Sequence, residues 1–167
     1  SGFEHDWPAG SDDVFAAGQV PAFADTGSFV VHPPLGKWII SIGMWLFGPG
    51  NAFGWRFSVA LLGTAAVCLV ILVARKLFES TVWAALAGFF FAIDGVSIVM
   101  SRTALLDSIL MFFVLLAFWF LLLDRERSFG QLFNRPWLLA AGIALGCASA
   151  VKWSGAYFLA FFGIYVV

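Results

Sequence analysis

Charge is what this chain has least of. Asp, Glu, Lys and Arg make up 11% of its 167 residues, whereas a soluble domain carries about 25%. A globule built from so few charges cannot cover itself with polar surface, so lipid must solvate much of the chain. Positive charge is not in excess either. Nine Lys and Arg against ten Asp and Glu give a net charge of −1, which excludes a basic face for nucleic acid. Cysteine is nearly missing: Cys68 and Cys147 both sit in apolar runs, too few for a disulfide framework, and read as inert packed thiols. His5 and His32 are the two histidines, with no Cys/His cluster around them, so a metal site is not expected. Nothing in the sequence suggests an organic cofactor.

What is present is apolar: 62% of the residues are hydrophobic and 18% aromatic, with a mean hydropathy of +0.95. The ends look cut. Ser1 opens a polar stretch with no apolar signal segment ahead of it. Residues 153–167 are still apolar when the chain stops, short of the ~20 that cross a bilayer core. The expectation is an internal piece of a longer protein.

Residues 1–36 differ from the rest. They hold Glu4, Asp6, Asp12, Asp13 and Asp25, no Lys or Arg, and scattered Gly, Pro and Ser, which predicts an irregular acidic loop outside the membrane. Residues 37–47 follow Pro33-Pro34 and are apolar but too short for a span. They predict an interfacial or re-entrant helix with Trp38 and Trp45 at headgroup depth. Residues 1–52 thus form one extracytoplasmic unit. Beyond the Gly48-Pro49-Gly50-Asn51 break the apolar runs predict spans at about 53–73, 82–100, 103–123 and 137–151, and an incomplete one at 153–167. The fold class is all-α: a polytopic transmembrane helical bundle in a multi-pass membrane protein. Arg75 and Lys76 follow the first span, and Arg125, Arg127 and Arg135 the third; the opposite turns offer Arg102 and Lys152. The positive-inside rule places residues 75–80 and 124–135 in the cytoplasm and the N-terminal stretch outside.

Charges at a membrane are costly and ask for a partner or a purpose. Asp94, Arg102, Asp107 and Lys152 all fall at the outer ends of spans, and His32 and Lys37 arrive from the loop. One reading gathers them into a polar site for a charged, lipid-borne substrate, with Arg102 and Lys152 facing its anionic part, since a guanidinium suits phosphate. The other pairs Arg102 with Asp107 to pin two helices and lets Lys152 snorkel to the headgroups. His32-Pro33-Pro34-Leu35-Gly36-Lys37 reads either as a device that aims His32 and Lys37 or as a rigid entry turn ahead of a helix. Gly142, Gly146 and Gly155 read as close helix contacts rather than a ligand cradle.

His32-Pro33-Pro34-Leu35-Gly36-Lys37, Gly54-Trp55-Arg56-Phe57, Asp94-Gly95-Val96, Ser101-Arg102-Thr103-Ala104-Leu105-Leu106-Asp107-Ser108 and Ser149-Ala150-Val151-Lys152-Trp153-Ser154-Gly155 together resemble the protein O-mannosyltransferases in their actinobacterial form. The resemblance covers nearly the whole chain in order and spacing, and the histidine-proline motif combined with Arg102-x-Ala104-Leu105-Leu106-Asp107 carries its specificity. It implies a C-type glycosyltransferase fold. It also implies inverting transfer of mannose from a polyprenyl-phosphate carrier to Ser or Thr of exported proteins, at the cytoplasmic membrane. Arg102 matches the family's essential arginine and Asp107 the acid that follows it; His32 and Lys37 match the loop motif. The family places catalysis on an Asp-Glu pair in the first outer loop. No Asp-Glu dipeptide occurs here. The resemblance implies that the pair lies upstream of Ser1, with Asp6, Asp12 or Asp13 as poor substitutes, and that the fragment alone is inactive. Two rivals remain: a related lipid-phosphate-sugar transferase with another acceptor, such as lipid A, and a transporter, which would place polar groups at mid-membrane depth along broken helices.

Overall fold

The computed structural model describes residues 3–5, 10, 13–14, 17, 27–29, 31–48, 51–127 and 135–166. Two short strands, β1 (Phe3–His5) and β2 (Gly27–Phe29), pair antiparallel with Glu4 opposite Ser28. The acidic stretch expected to be irregular therefore carries a small β-pair. Asp6, Asp12 and Asp25 lie outside the described residues.

The remaining elements are helices. Helix α1 (Leu35–Phe47) starts where Pro34 supplies its N-cap, and it stops at Gly48, whose φ of 90° suits glycine. Helix α2 (Ala52–Phe78) is capped by Asn51, whose side chain accepts from the Phe53 N–H at 2.9 Å. Its 27 residues reach about 40 Å, enough to cross a core of about 30 Å. The sequence reading stopped this span at 73. The helix runs on because Arg75 and Lys76 occupy its last turn, where cations meet the negative end of the helix dipole. Gly43 of α1 lies so close to α2 that an added Cβ would run into the Gly54 carbonyl oxygen, so the two helices touch backbone to backbone.

The second predicted span, 82–100, is not one helix. It is α3 (Thr81–Ile93) and α4 (Gly95–Arg102), bent by 57° at Asp94. Asp94 takes an extended conformation there, and its carboxylate caps the next helix by accepting from the Ser97 N–H at 2.8 Å. The third span begins at α5 (Leu106–Arg127) rather than at 103, because Ala104 sits at φ 53° in the intervening turn. Helix α6 (Pro136–Val151) opens with Pro136 at its first position, and α7 is Gly155–Val166. Helices α2 and α5 are each long and apolar enough to cross a membrane, the α3–α4 pair meets that test only when its two bent halves are taken together, and α1, α6 and α7 are shorter apolar helices.

The core has two parts. Val59, Ile109, Leu110, Ala148 and Val151 join α2, α5 and α6 at one end, with Leu35 and Ile39 of α1 packed on them. Ala117, Ala144 and Leu145 continue it, with Phe162 of α7 against them. Around this core Trp83, Phe89, Phe90, Leu139, Ile143, Phe161 and Ile164 are exposed. In water that surface would be untenable; in lipid it is the expected exterior. This is a membrane protein.

Polar side chains sort to the two ends. At one, Lys76 pairs with Glu126, Arg135 with Asp124, and Arg125 donates to the Tyr165 hydroxyl. At the other lie Arg102, Asp107 and Lys152, beside the core cluster that holds Leu35, Ala104 and Val151. The alternation of ends expected from the cation pattern is the alternation seen.

Candidate functional site

Helix α4 is eight residues long and delivers Arg102 in its last turn. The chain then reverses: Thr103 Oγ1 donates to the Val99 carbonyl at 2.8 Å, and the Leu105 N–H donates to the Met100 carbonyl at 3.3 Å. This turn holds Arg102 in the wall of a cavity of about 520 Å³ between α2, the α3–α4 pair and α5. Thr64, Ser97, Ser101, Ser108 and Arg102 supply its polar wall; Val67, Phe91 and Met111 are among its apolar lining. Gly63 of α2 faces Ser101 of α4 so closely that an added Cβ would come to 2.8 Å from the Ser101 Cβ. Helices α2 and α4 thus meet one residue before Arg102.

Arg102 is exposed and makes no hydrogen bond or ion pair among the described residues. Asp107 does not pair with it. Its partner is Lys152, 45 residues away, with Nζ donating to Oδ1 at 2.7 Å. The pair ties the first turn of α5 to the residue that closes α6. Both side chains are partly open, 42% and 29%, so the pair contributes about 0–1 kcal/mol, and its value is positional. Lys152 therefore anchors to a carboxylate instead of snorkelling.

Of the six residues singled out in the sequence, Arg102 lines the cavity. Asp107 and Lys152 hold each other, and Asp94 shapes the α3–α4 break. His32 stands just before α1, its Nδ1 buried and without a partner among the described residues. Lys37 lies in the first turn of α1, partly exposed. Sequence reasoning passed over Gly63 and Ser108. It also took both cysteines as packed, whereas Cys68 is exposed and lines the cavity. Among the described residues no three His, Cys, Asp or Glu come together as a metal site would need. At the far end, Arg135 Nε donates to Asp124 Oδ2 at 3.0 Å, and this hydrogen bond raises the guanidinium above its ordinary range.

A helical bundle with an apolar exterior and an arginine in the wall of a cavity between its helices defines a class: polytopic membrane proteins. The chain belongs to the dolichyl-phosphate-mannose-protein mannosyltransferase family, whose model matches residues 22–167. The bundle is accordingly a portion of a C-type glycosyltransferase fold. The chain is 44% identical over 153 residues to a polyprenol-phosphate-mannose–protein mannosyltransferase of Mycolicibacterium smegmatis, covering 81% of this chain and 30% of that protein. It is 46% identical over 152 residues to the protein of the same name from Mycobacterium tuberculosis, covering 80% and 29%. The Corynebacterium glutamicum protein of that name is 39% identical over 153 residues, covering 81% and 29%. The chain thus spans about 30% of the length of these curated relatives. No solved structure matches it.

Proposed function

We propose that this chain is part of an enzyme that transfers mannose from polyprenyl-phosphate mannose to Ser or Thr hydroxyls of exported proteins, with inversion at the sugar carbon. The carrying observation is Arg102, unpaired among the described residues and lining the cavity between α2, α4 and α5. In such a transfer the bond between the anomeric carbon and the phosphate oxygen breaks while the acceptor oxygen bonds to that carbon from the opposite face. Negative charge grows on the departing phosphate, and a fixed guanidinium stabilises it. The acceptor hydroxyl gives its proton to a carboxylate base. This chain has no Asp-Glu dipeptide, and we assign the base to none of its residues. Lys152 pairs with Asp107 and Asp94 caps α4 at the α3–α4 bend; to His32, just before α1, and Lys37, in its first turn, we assign further contacts to the donor. The names of the relatives support this donor and a protein acceptor. Membranes carrying the intact protein should move labelled mannose from polyprenyl-phosphate mannose to a Ser/Thr peptide. Labelled lipid donor that gives no glycopeptide would refute the reading.

We propose that the Arg102 end and residues 1–52 face the outside of the plasma membrane. Five cations (Arg75, Lys76, Arg125, Arg127, Arg135) lie at the opposite end, and four (Lys37, Arg56, Arg102, Lys152) at this one. Three of those four, Lys37, Arg56 and Arg102, lie within helices, and Arg56 stacks on Trp55. The margin of the positive-inside rule is one residue, so labelling is the deciding measurement. A cysteine at position 28 should react with an impermeant maleimide on intact cells, and Glu79→Cys only after the cells are opened. The reverse pattern puts the site on the wrong side for an exported acceptor.

A further inference from the structure

Ser108 is the third residue of α5, is 1% exposed and borders the Arg102 cavity. Its Oγ is buried with no hydrogen-bond partner among the described residues. Other hydroxyls of the bundle turn back on their own helices: Ser41 to the Trp38 carbonyl, Thr64 to Ala60, Ser101 to Ile98, Thr103 to Val99 and Ser149 to Leu145. That back-bond is the usual way a helical hydroxyl is satisfied in an apolar setting. Ser108 makes no such bond: Ala104, four before it, is held at φ 53° in the turn after Arg102 and outside the helical path, and the Leu105 carbonyl, three before it, accepts from the Ser108 backbone N–H at 3.2 Å. The same turn that presents the arginine leaves the serine hydroxyl uncommitted.

We propose that Ser108 is a second ligand-binding group of this site, donating its hydroxyl hydrogen to a phosphate oxygen of the lipid-linked donor while Arg102 neutralises the charge. The assignment rests on the functional reading above and adds a residue to it. Two features of the surroundings suit an anion. The first turn of α5 carries the positive end of a 22-residue helix dipole. The carboxylate beside Ser108, that of Asp107, would repel a phosphate, but Lys152 pairs with it at 2.7 Å.

In the intact protein Ser108→Ala should raise the KM for polyprenyl-phosphate mannose about tenfold, the usual scale for losing a hydrogen bond to a charged group. Inhibition by polyprenyl phosphate, which carries the phosphate without the sugar, should weaken by the same factor. Thermal stability without added lipid phosphate should be unchanged or higher, because alanine removes a buried hydroxyl that has no partner. Ser108→Cys, similar in size but a weak donor, should fall between. Unchanged polyprenyl-phosphate inhibition in Ser108→Ala overturns the proposal, as does a loss of inhibition that only tracks a loss of stability. Inorganic phosphate competing as strongly as polyprenyl phosphate would also overturn it, since the anion would then not be the lipid's. Arg102→Ala separates the two levels. If it leaves polyprenyl-phosphate inhibition intact, the cavity reading itself fails; if it abolishes inhibition while Ser108→Ala does not, Ser108 alone is dismissed.

Discussion

Arg102→Ala is expected to lower mannosyl transfer by at least about 10²–10³-fold, the scale seen when one preorganised group facing developing charge is removed. The loss should fall on kcat as well as on KM, because charge on the departing phosphate is greatest in the transition state. Expression and membrane insertion should not change. Arg102 is exposed at the end of α4 and holds no other described side chain, so its removal belongs among surface substitutions worth about 0.5 kcal/mol or less in stability. Arg102→Lys should recover part of the activity but not all of it, since an ammonium keeps the charge and loses the planar two-pronged donor geometry. Wild-type turnover in Arg102→Ala would take the residue out of the mechanism and leave the cavity without its one cation.

The helices were legible because each is an apolar run closed by a polar break, and that pattern survives any packing arrangement. Their ends were less so. The sequence offers Arg75-Lys76 and Asp124-Arg125 as stops, yet α2 and α5 continue through them to Phe78 and Arg127, because charged last turns are compatible with a helix. Asp94-Gly95 reads in sequence as a possible ligand group inside one span; the conformational feature it does not reveal is that the carboxylate caps α4 at a 57° bend. The pairing of Asp107 could not be read from spacing. Arg102 is five residues away in sequence, but the Ala104 turn separates the two, and α6 brings Lys152 in instead. Ser108 carries no signal in a one-dimensional pattern, since its distinction is a back-bond that fails to form.

The bend at Asp94 has a bearing on the rival class. A transporter would show broken helices, and here one span is broken. The eight-residue α4 that follows the break carries Arg102 in its last turn, in the wall of the cavity. The ionic groups gather at the two ends of the bundle, which suits a surface site. The family match is to transferases over residues 22–167.

The largest effect on stability should come from the opposite end. Asp124 is buried, with a side-chain exposure of 2%, and its Oδ1 has no partner among the described residues. Oδ2 takes both donors of Arg135, so that one guanidinium carries the whole neutralisation. Removing one partner of a buried pair leaves the other charge stranded, at about 3–5 kcal/mol, whereas removing the buried charge itself does not. Arg135 is 27% exposed and has water to fall back on; Asp124 does not. Arg135→Ala should therefore be the costlier change and show as early thermal unfolding. Asp124→Asn, which keeps the shape and one acceptor for Arg135, should cost less than half as much. Joint replacement of both by apolar residues of similar size should approach wild type. Equal losses for Arg135→Ala and Asp124→Asn would show that the clasp works by packing, and that the buried carboxylate is not what makes the α5–α6 hairpin depend on Arg135.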